Sequence, residues 1–364
     1  MQIILKHMVD LPQTPAAMPL ALPRFPTLPL TGLADLTDFV DLADATRRRL
    51  LGLGAALALP GCTWQNTLNN APPVTLPGTR QLDLRAPGMP GPGAPDRVHR
   101  IMVAVPPAPP PPQGYPVLYL LDGNLLFTPT AQLMRNRFAR GPSVPTQGAV
   151  VVGLGYAESA VLDLSARSYD YTPPAPGPAT DERGRAEGGA DHFLDFIDQQ
   201  VRPLLEASWP IDTTRQTFFG HSYGGLCVLH ALLTRPGGFQ RYVAASPSIW
   251  WRDGFVLQAL PGFVAHAARQ PADAPALRLL VTQGEREARP ATPSTAAPAP
   301  ASASDPARDA LRRQRQNAPG IPALMDGLRG APGLALRFAS FPGADHGGAM
   351  LPAAQQALAM AIGD

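Results

Sequence analysis

Short apolar runs alternate with amphipathic segments from residue 80 to the end of the chain. Residues 80–85 and 98–105 read as strands; in the second, Val98, Arg100 and Met102 alternate with His99, Ile101 and Val103. Residues 116–121 and 149–154 are wholly apolar, the pattern of strands covered on both faces of a parallel sheet. Residues 217–219, 242–245, 277–281 and 334–338 continue the series. Between them Phe193, Phe196, Ile197, Val201 and Leu204 recur at helical spacing over 193–205, and Leu226, Val228, Leu229 and Leu232 do so after Gly225. A further helix is expected at 307–328. Strands alternating with helices predict an α/β fold, a doubly wound, mostly parallel sheet forming one domain over 79–364.

The two ends of this pattern differ from its middle. Residues 1–45 are broken by prolines, hold no sustained period and receive no fold assignment. Thr46-Arg47-Arg48-Arg49 then precedes a small, apolar run at 52–59 and Pro60-Gly61-Cys62. A basic region, a short apolar stretch and a small residue before the cut form an export signal with a twin-arginine character. A bilayer span needs about 20 apolar residues, more than this stretch supplies. Such signals start within a few residues of the initiator, so 1–45 reads as a mis-called start. Leu59-Pro60-Gly61-Cys62 also resembles a bacterial lipobox, which would make Cys62 a lipid anchor followed by a polar tether over 63–78. Cys227 is then left as a small packing residue. Residues 288–306, rich in alanine and proline, cannot bury a core and are expected as a loop on the active-site side, solvated or acting as a lid.

Composition narrows the partners. The 364 residues carry a net charge of +2 with 16% charged residues, and no basic face for nucleic acid. The 45 prolines and 34 glycines concentrate in a few tracts, as loop decoration on an ordinary core.

The chemistry centres on Gly220-His221-Ser222-Tyr223-Gly224, set between an apolar strand and a helix. In that context G-x-S-x-G is a nucleophile elbow, and Ser222 is the expected nucleophile. A serine hydroxyl needs a base, normally a histidine oriented by a carboxylate and lying downstream in this fold. His230 and His266 lie in helical stretches and read as structural or surface residues. His346, in the glycine-rich loop after the last strand, is the candidate base; Asp345 beside it points away and reads as a loop hydrogen-bonder. The acid is expected just after the strand at 277–281, at Glu287, with Glu285 as the alternative. Two backbone donors should form the oxyanion hole: the N–H of Tyr223 and that of Gly123 or Asn124, in the loop after Leu121.

With Asp122-Gly123-Asn124 and the segment Arg167-Ser168-Tyr169-Asp170-Tyr171-Thr172-Pro173 added, the chain resembles the esterase-D-type α/β-hydrolases. Within them it is similar to the siderophore esterases of the periplasmic, membrane-anchored, enterobactin-type branch. The blocks PVLYLLDGN, RSYDYTP, FLDFI, GHSYGGLCVL, AASPSIWW, TQGE and FPGADHG carry the resemblance. It implies hydrolysis of a catechol-bearing tri-ester, iron-free or ferric, in the periplasm of a Gram-negative bacterium, with no cofactor and no metal in the catalytic machinery. Arg167 would pair with catecholate oxygens, Trp250 and Trp251 would stack on aromatic rings, and Tyr169 and Tyr171 would line the same cleft. A general acyl or acetyl esterase, or a non-catalytic ligand-binding lipoprotein, are the competing readings, and the oligomeric state is left open.

Overall fold

The structure, a computed structural model, describes residues 72–86, 97–140, 147–271, 273–288 and 320–363. The upstream segment 1–45, the export signal 46–62 with Cys62, most of the tether 63–78, residues 289–306 of the insertion and 307–319 of the expected helix lie outside the described residues. Apart from Pro72 and Pro73, the described residues belong to one compact unit, Val74–Asp364.

Eight strands form one sheet: β1 (Thr79–Ala86), β2 (Arg97–Ala104), β3 (Tyr115–Leu120), β4 (Val150–Tyr156), β5 (Ile211–His221), β6 (Arg241–Ala245), β7 (Leu277–Gly284) and β8 (Leu334–Phe341). Their spatial order is β1-β2-β4-β3-β5-β6-β7-β8. The first two pairings are antiparallel and the other five parallel. Every residue of β3 and β4 is buried, as central strands of a two-sided parallel sheet require. The edge strand β1 instead alternates, with Leu82 and Leu84 packed inward between exposed Gln81, Asp83 and Arg85.

Helices cover both faces. They are α1 (Gly123–Asn136), α2 (Leu164–Tyr171), α3 (Ala190–Phe196), α4 (Arg202–Ser208), α5 (Tyr223–Thr234), α6 (Leu260–Ala267), the short α7 (Glu285–Ala288), α8 (Ile321–Leu328) and α9 (Met350–Ile362), with a π turn, Ile197–Val201, joining α3 to α4. Because successive strand side chains point to opposite faces, each central strand feeds two cores. Tyr119, Phe218, Tyr242 and Leu279 join Phe193 of α3 and Leu226 and Leu229 of α5 on one face. Leu118, Phe219, Val243 and Leu280 join Leu126 and Phe127 of α1 and Ala357 and Leu358 of α9 on the other. Three helices depart from the sequence pattern. α1 begins at Gly123, where a loop is expected, and its period is obscured by Pro129. α2 occupies most of the RSYDYTP segment, and α9 packs through alanines too small to mark an apolar stripe.

Candidate active site

The turn between β5 and α5 places Ser222 at φ 59°, ψ −115°, a region that a non-glycine residue occupies only under constraint. Two glycines make the turn sterically feasible. A Cβ on Gly220 would lie 2.3 Å from the Gly224 carbonyl, and one on Gly225 would lie 2.9 Å from the Ala245 oxygen. The Ser222 N–H donates to Ala245 O at 2.9 Å, and the hydroxyl meets Ser248 Oγ at 3.3 Å.

His346 lies on the loop between β8 and α9, and its Nδ1 is 2.6 Å from Glu287 Oε2. Glu287 belongs to α7, which starts directly after β7. Its other oxygen accepts from Ser246 Oγ at 2.7 Å and from the Gly284 N–H at 2.7 Å. Burial pushes the Glu287 carboxyl up, but the hydrogen bonds from His346, Ser246 and Gly284 outweigh it and hold the group below the usual carboxylate range. Glu285 instead accepts from the Gly343 N–H at 2.8 Å, and Asp345 from the Gly348 N–H at 2.8 Å, so both shape the histidine's loop. His221 grips that loop from the elbow side: its Nε2–H donates to the His346 carbonyl at 2.8 Å. Burial, with His346 close by, lowers the His221 imidazole to about 4 and keeps it neutral.

The first amides of a helix have no carbonyl a turn earlier to accept from them. α5 therefore presents the Tyr223 N–H, and α1 those of Gly123 and Asn124, at the carboxyl ends of adjacent strands. The Asn124 side chain is committed elsewhere. Its Nδ2 donates to Tyr156 O at 3.1 Å and Ser159 O at 2.7 Å, and its Oδ1 accepts from Tyr156 N at 2.7 Å.

The expected substrate-binding residues are distributed differently from the sequence reading. Arg167 forms a two-pronged pair with Asp122, Nε to Oδ1 at 2.9 Å and Nη2 to Oδ2 at 3.0 Å. Its guanidinium lies over the rings of Tyr171 and Tyr223 at 5.5 and 5.7 Å. The fork that was expected to meet catecholate oxygens is thus occupied by a carboxylate of the chain itself. Tyr171, fully buried, receives the Asp122 N–H on its hydroxyl at 3.1 Å, and Tyr169 is buried under Arg97. Both are core residues of α2 rather than cleft residues, because the helix turns them toward α3. Trp251 is buried, with its Nε1–H donated to Glu187 at 2.8 Å. Trp250 is half-buried against Tyr223, ring centroids 6.0 Å apart. Ser222 opens into a cleft of about 620 Å³, His346 into a cavity of about 290 Å³, and Trp250 lines both.

Four contributors escaped the sequence reading: Asp122, His221, Ser246 and Ser248. Asp122 had a signal, as a carboxylate ending a wholly apolar strand; Ser246 and Ser248 had none. His230 pairs with Asp191 at 2.9 Å and His266 with Gln270 at 2.9 Å, away from this constellation. Cys227 is buried on α5, and burial pushes its thiol far above the ordinary range.

A strained serine at a strand-to-helix elbow, with a histidine–carboxylate pair on segments that follow later strands of a mostly parallel sheet, defines a serine hydrolase of the α/β-hydrolase type. Residues 93–317 match the model of the family described as putative esterase, and the chain belongs to that family. It is similar to a ferri-bacillibactin esterase of Bacillus subtilis, 41% identical over 199 residues that make up 53% of this chain and 67% of the relative. A siderophore enterobactin esterase of Emericella nidulans is 42% identical over 181 residues, 48% of this chain and 58% of that protein. Among solved structures, the siderophore hydrolase EstB of Aspergillus nidulans superposes with TM-score 0.63 at 28% identity, covering 80% of this chain and 98% of that one. The BES protein of Bacillus cereus superposes with TM-score 0.62 at 25% identity, over 80% and 97%.

Proposed function

We propose that this chain is a serine esterase that opens the trilactone ring of a catecholate siderophore through an acyl-enzyme. The observation that carries the mechanism is the 2.6 Å contact of His346 Nδ1 with Glu287 in a site that also holds the strained Ser222. Glu287 accepts a hydrogen bond from Nδ1–H, which fixes the tautomer that leaves Nε2 with its lone pair. On substrate binding the Ser222 hydroxyl exchanges its Ser248 contact for His346 Nε2. Its oxygen attacks the ester carbonyl as its proton passes to His346. The Tyr223 N–H and that of Gly123 or Asn124 hold the oxyanion. The ring alcohol leaves with the proton from His346, and water then releases the acyl group by the same steps. Trp250, half-buried at the mouth, offers a face for an aromatic ring.

The substrate class rests on the named activities of the relatives above. Residues 46–62 support export to the cell envelope, with Cys62 as a lipid anchor in the periplasm. One preparation should hydrolyse enterobactin and nitrophenyl butyrate, and a fluorophosphonate should label Ser222 and leave Ser222→Ala unlabelled. Turnover of the nitrophenyl ester without any of the trilactone would move the reading to a general acyl esterase, and labelling of Ser222→Ala would overturn the mechanism. Cys62→Ala should move the protein from the membrane to the soluble fraction.

A further inference from the structure

Among the described residues, the charges lining the Ser222 cleft are almost entirely cancelled within the protein. Four arginines line it, and three are committed. Arg167 is forked onto Asp122. Arg185 is held by Asp181, Nε to Oδ2 at 2.7 Å, in a small hairpin closed by the Thr180–Ala186 bridge. Arg252 donates to Glu187 at 2.9 Å, to Pro176 O at 2.8 Å and to Pro178 O, stitching the 176–187 strap to the loop after β6. Only Arg183, exposed at the hairpin tip, lacks a carboxylate partner among the described residues. Against it stand two exposed carboxylates of the lining that likewise lack a cation among the described residues: Glu182, next to it in sequence, and Asp253. Asp253 is held there by consecutive left-handed residues, Arg252 at φ 45°, Asp253 at φ 55° and Gly254 at φ 82°. With each ion pair counted as neutral, these residues leave one net negative charge.

That balance bears on which form of the substrate the cleft accepts. A free catechol is neutral near pH 7. Three catecholates around a ferric ion leave three negative charges on the complex, with its oxygens committed to the metal. Resting on the siderophore reading above, we infer that the cleft selects the iron-free, uncharged catechol trilactone, or its linear esters, over the ferric complex. A neutral catechol avoids repulsion by Glu182 and Asp253, and its hydroxyls donate to those carboxylates. A trianion meets repulsion from both and finds three of the four lining guanidinium groups already satisfied.

The test is kcat/KM for the iron-free trilactone, its ferric complex and nitrophenyl butyrate, at low and at high salt. The iron-free form should be preferred by roughly threefold to tenfold at low ionic strength, the scale of screened repulsion across a solvated cleft, with the ratio shrinking in salt. The double variant Glu182→Gln, Asp253→Asn should narrow the ratio by raising the ferric rate; asparagine tolerates the left-handed backbone at 253. Nitrophenyl butyrate reports whether the variant is folded. A ferric rate equal to or above the iron-free rate would overturn the inference and leave the siderophore reading standing. Hydrolysis of nitrophenyl butyrate with neither trilactone touched would remove both.

Discussion

His221 links stability, loop geometry and pH in one side chain, and His221→Gln isolates the pH part. Glutamine retains an N–H donor for the His346 carbonyl but does not titrate. In the folded protein the imidazole is held near 4 against an ordinary 6.5. Between those values the unfolded chain binds a proton that the folded chain does not, so stability falls as pH drops from 6.5 to 4 and changes no further from this source below 4. Each pH unit across that window is worth about 1.4 kcal/mol, so the wild type should lose about 3 kcal/mol that the variant keeps. Urea unfolding of both proteins at intervals from pH 7 to pH 4 measures the difference, and groups titrating alike in the two cancel. Stability curves that stay parallel within about 1 kcal/mol would refute the reasoning, since the folded imidazole would then be taking up its proton at an ordinary pH.

Ser222→Ala and His346→Ala should each abolish nearly all hydrolysis of nitrophenyl butyrate without unfolding the protein, because the members of a triad act as a unit; a few per cent of wild-type kcat surviving in a clean preparation would contradict the mechanism. Glu287→Gln should lower kcat by about a hundredfold or more by disturbing the histidine tautomer, whereas Glu285→Gln should lower it far less; the opposite order would reassign the acid. Arg167→Ala should destabilise the fold by about 3 to 5 kcal/mol, because it strands the Asp122 carboxylate in the interior; unchanged urea unfolding would show that the pair is dispensable. Trp250→Ala should weaken kcat/KM toward a catechol ester by about 0.5 to 1.5 kcal/mol more than toward nitrophenyl butyrate, and equal losses would remove Trp250 from substrate recognition.

Much of this was legible in the order of residues, for identifiable reasons. The central strands were visible because burial on both faces demands unbroken apolar runs, β1 and β2 only as segments that mix apolar and polar residues, and all eight lie where the sequence pattern places a strand. The antiparallel edge was not visible, because alternation in β2 is compatible with either direction of pairing. The elbow and the His346 loop are local signals, each contained in a handful of residues. What the chain order hid was who competes for a side chain. Arg167 has the right chemistry for a catecholate, but Asp122, 45 positions earlier, reaches it first. Only the turn of α2 decides that Tyr169 and Tyr171 both point inward. The choice between Glu285 and Glu287 likewise depended on which oxygen faces the histidine, a fact of three-dimensional register.

The backbone itself marks the same region. Among the described residues, the non-glycine positions with positive φ are Asp122, Ser222, Ser246, Arg252 and Asp253. They follow β3, β5 and β6, all at the carboxyl edge of the sheet. Such conformations cost of order 1 to 3 kcal/mol each and persist only where neighbours over-determine them. Asp122 is held by the Arg167 fork and by the Tyr171 hydroxyl on its amide. Ser222 is held by its N–H to Ala245, and Ser246 by its N–H to Thr282 O at 2.8 Å and its hydroxyl on Glu287. Arg252 is held by Glu187 and the strap. The Glu287 carboxylate therefore does two things at once: one oxygen fixes the left-handed Ser246, the other fixes the ring of His346. Glu285 turns to the Gly343 amide instead. Backbone strain and imidazole orientation thus depend on one group, so its loss should loosen the loop that carries Ser248, the resting partner of Ser222, as well as the histidine.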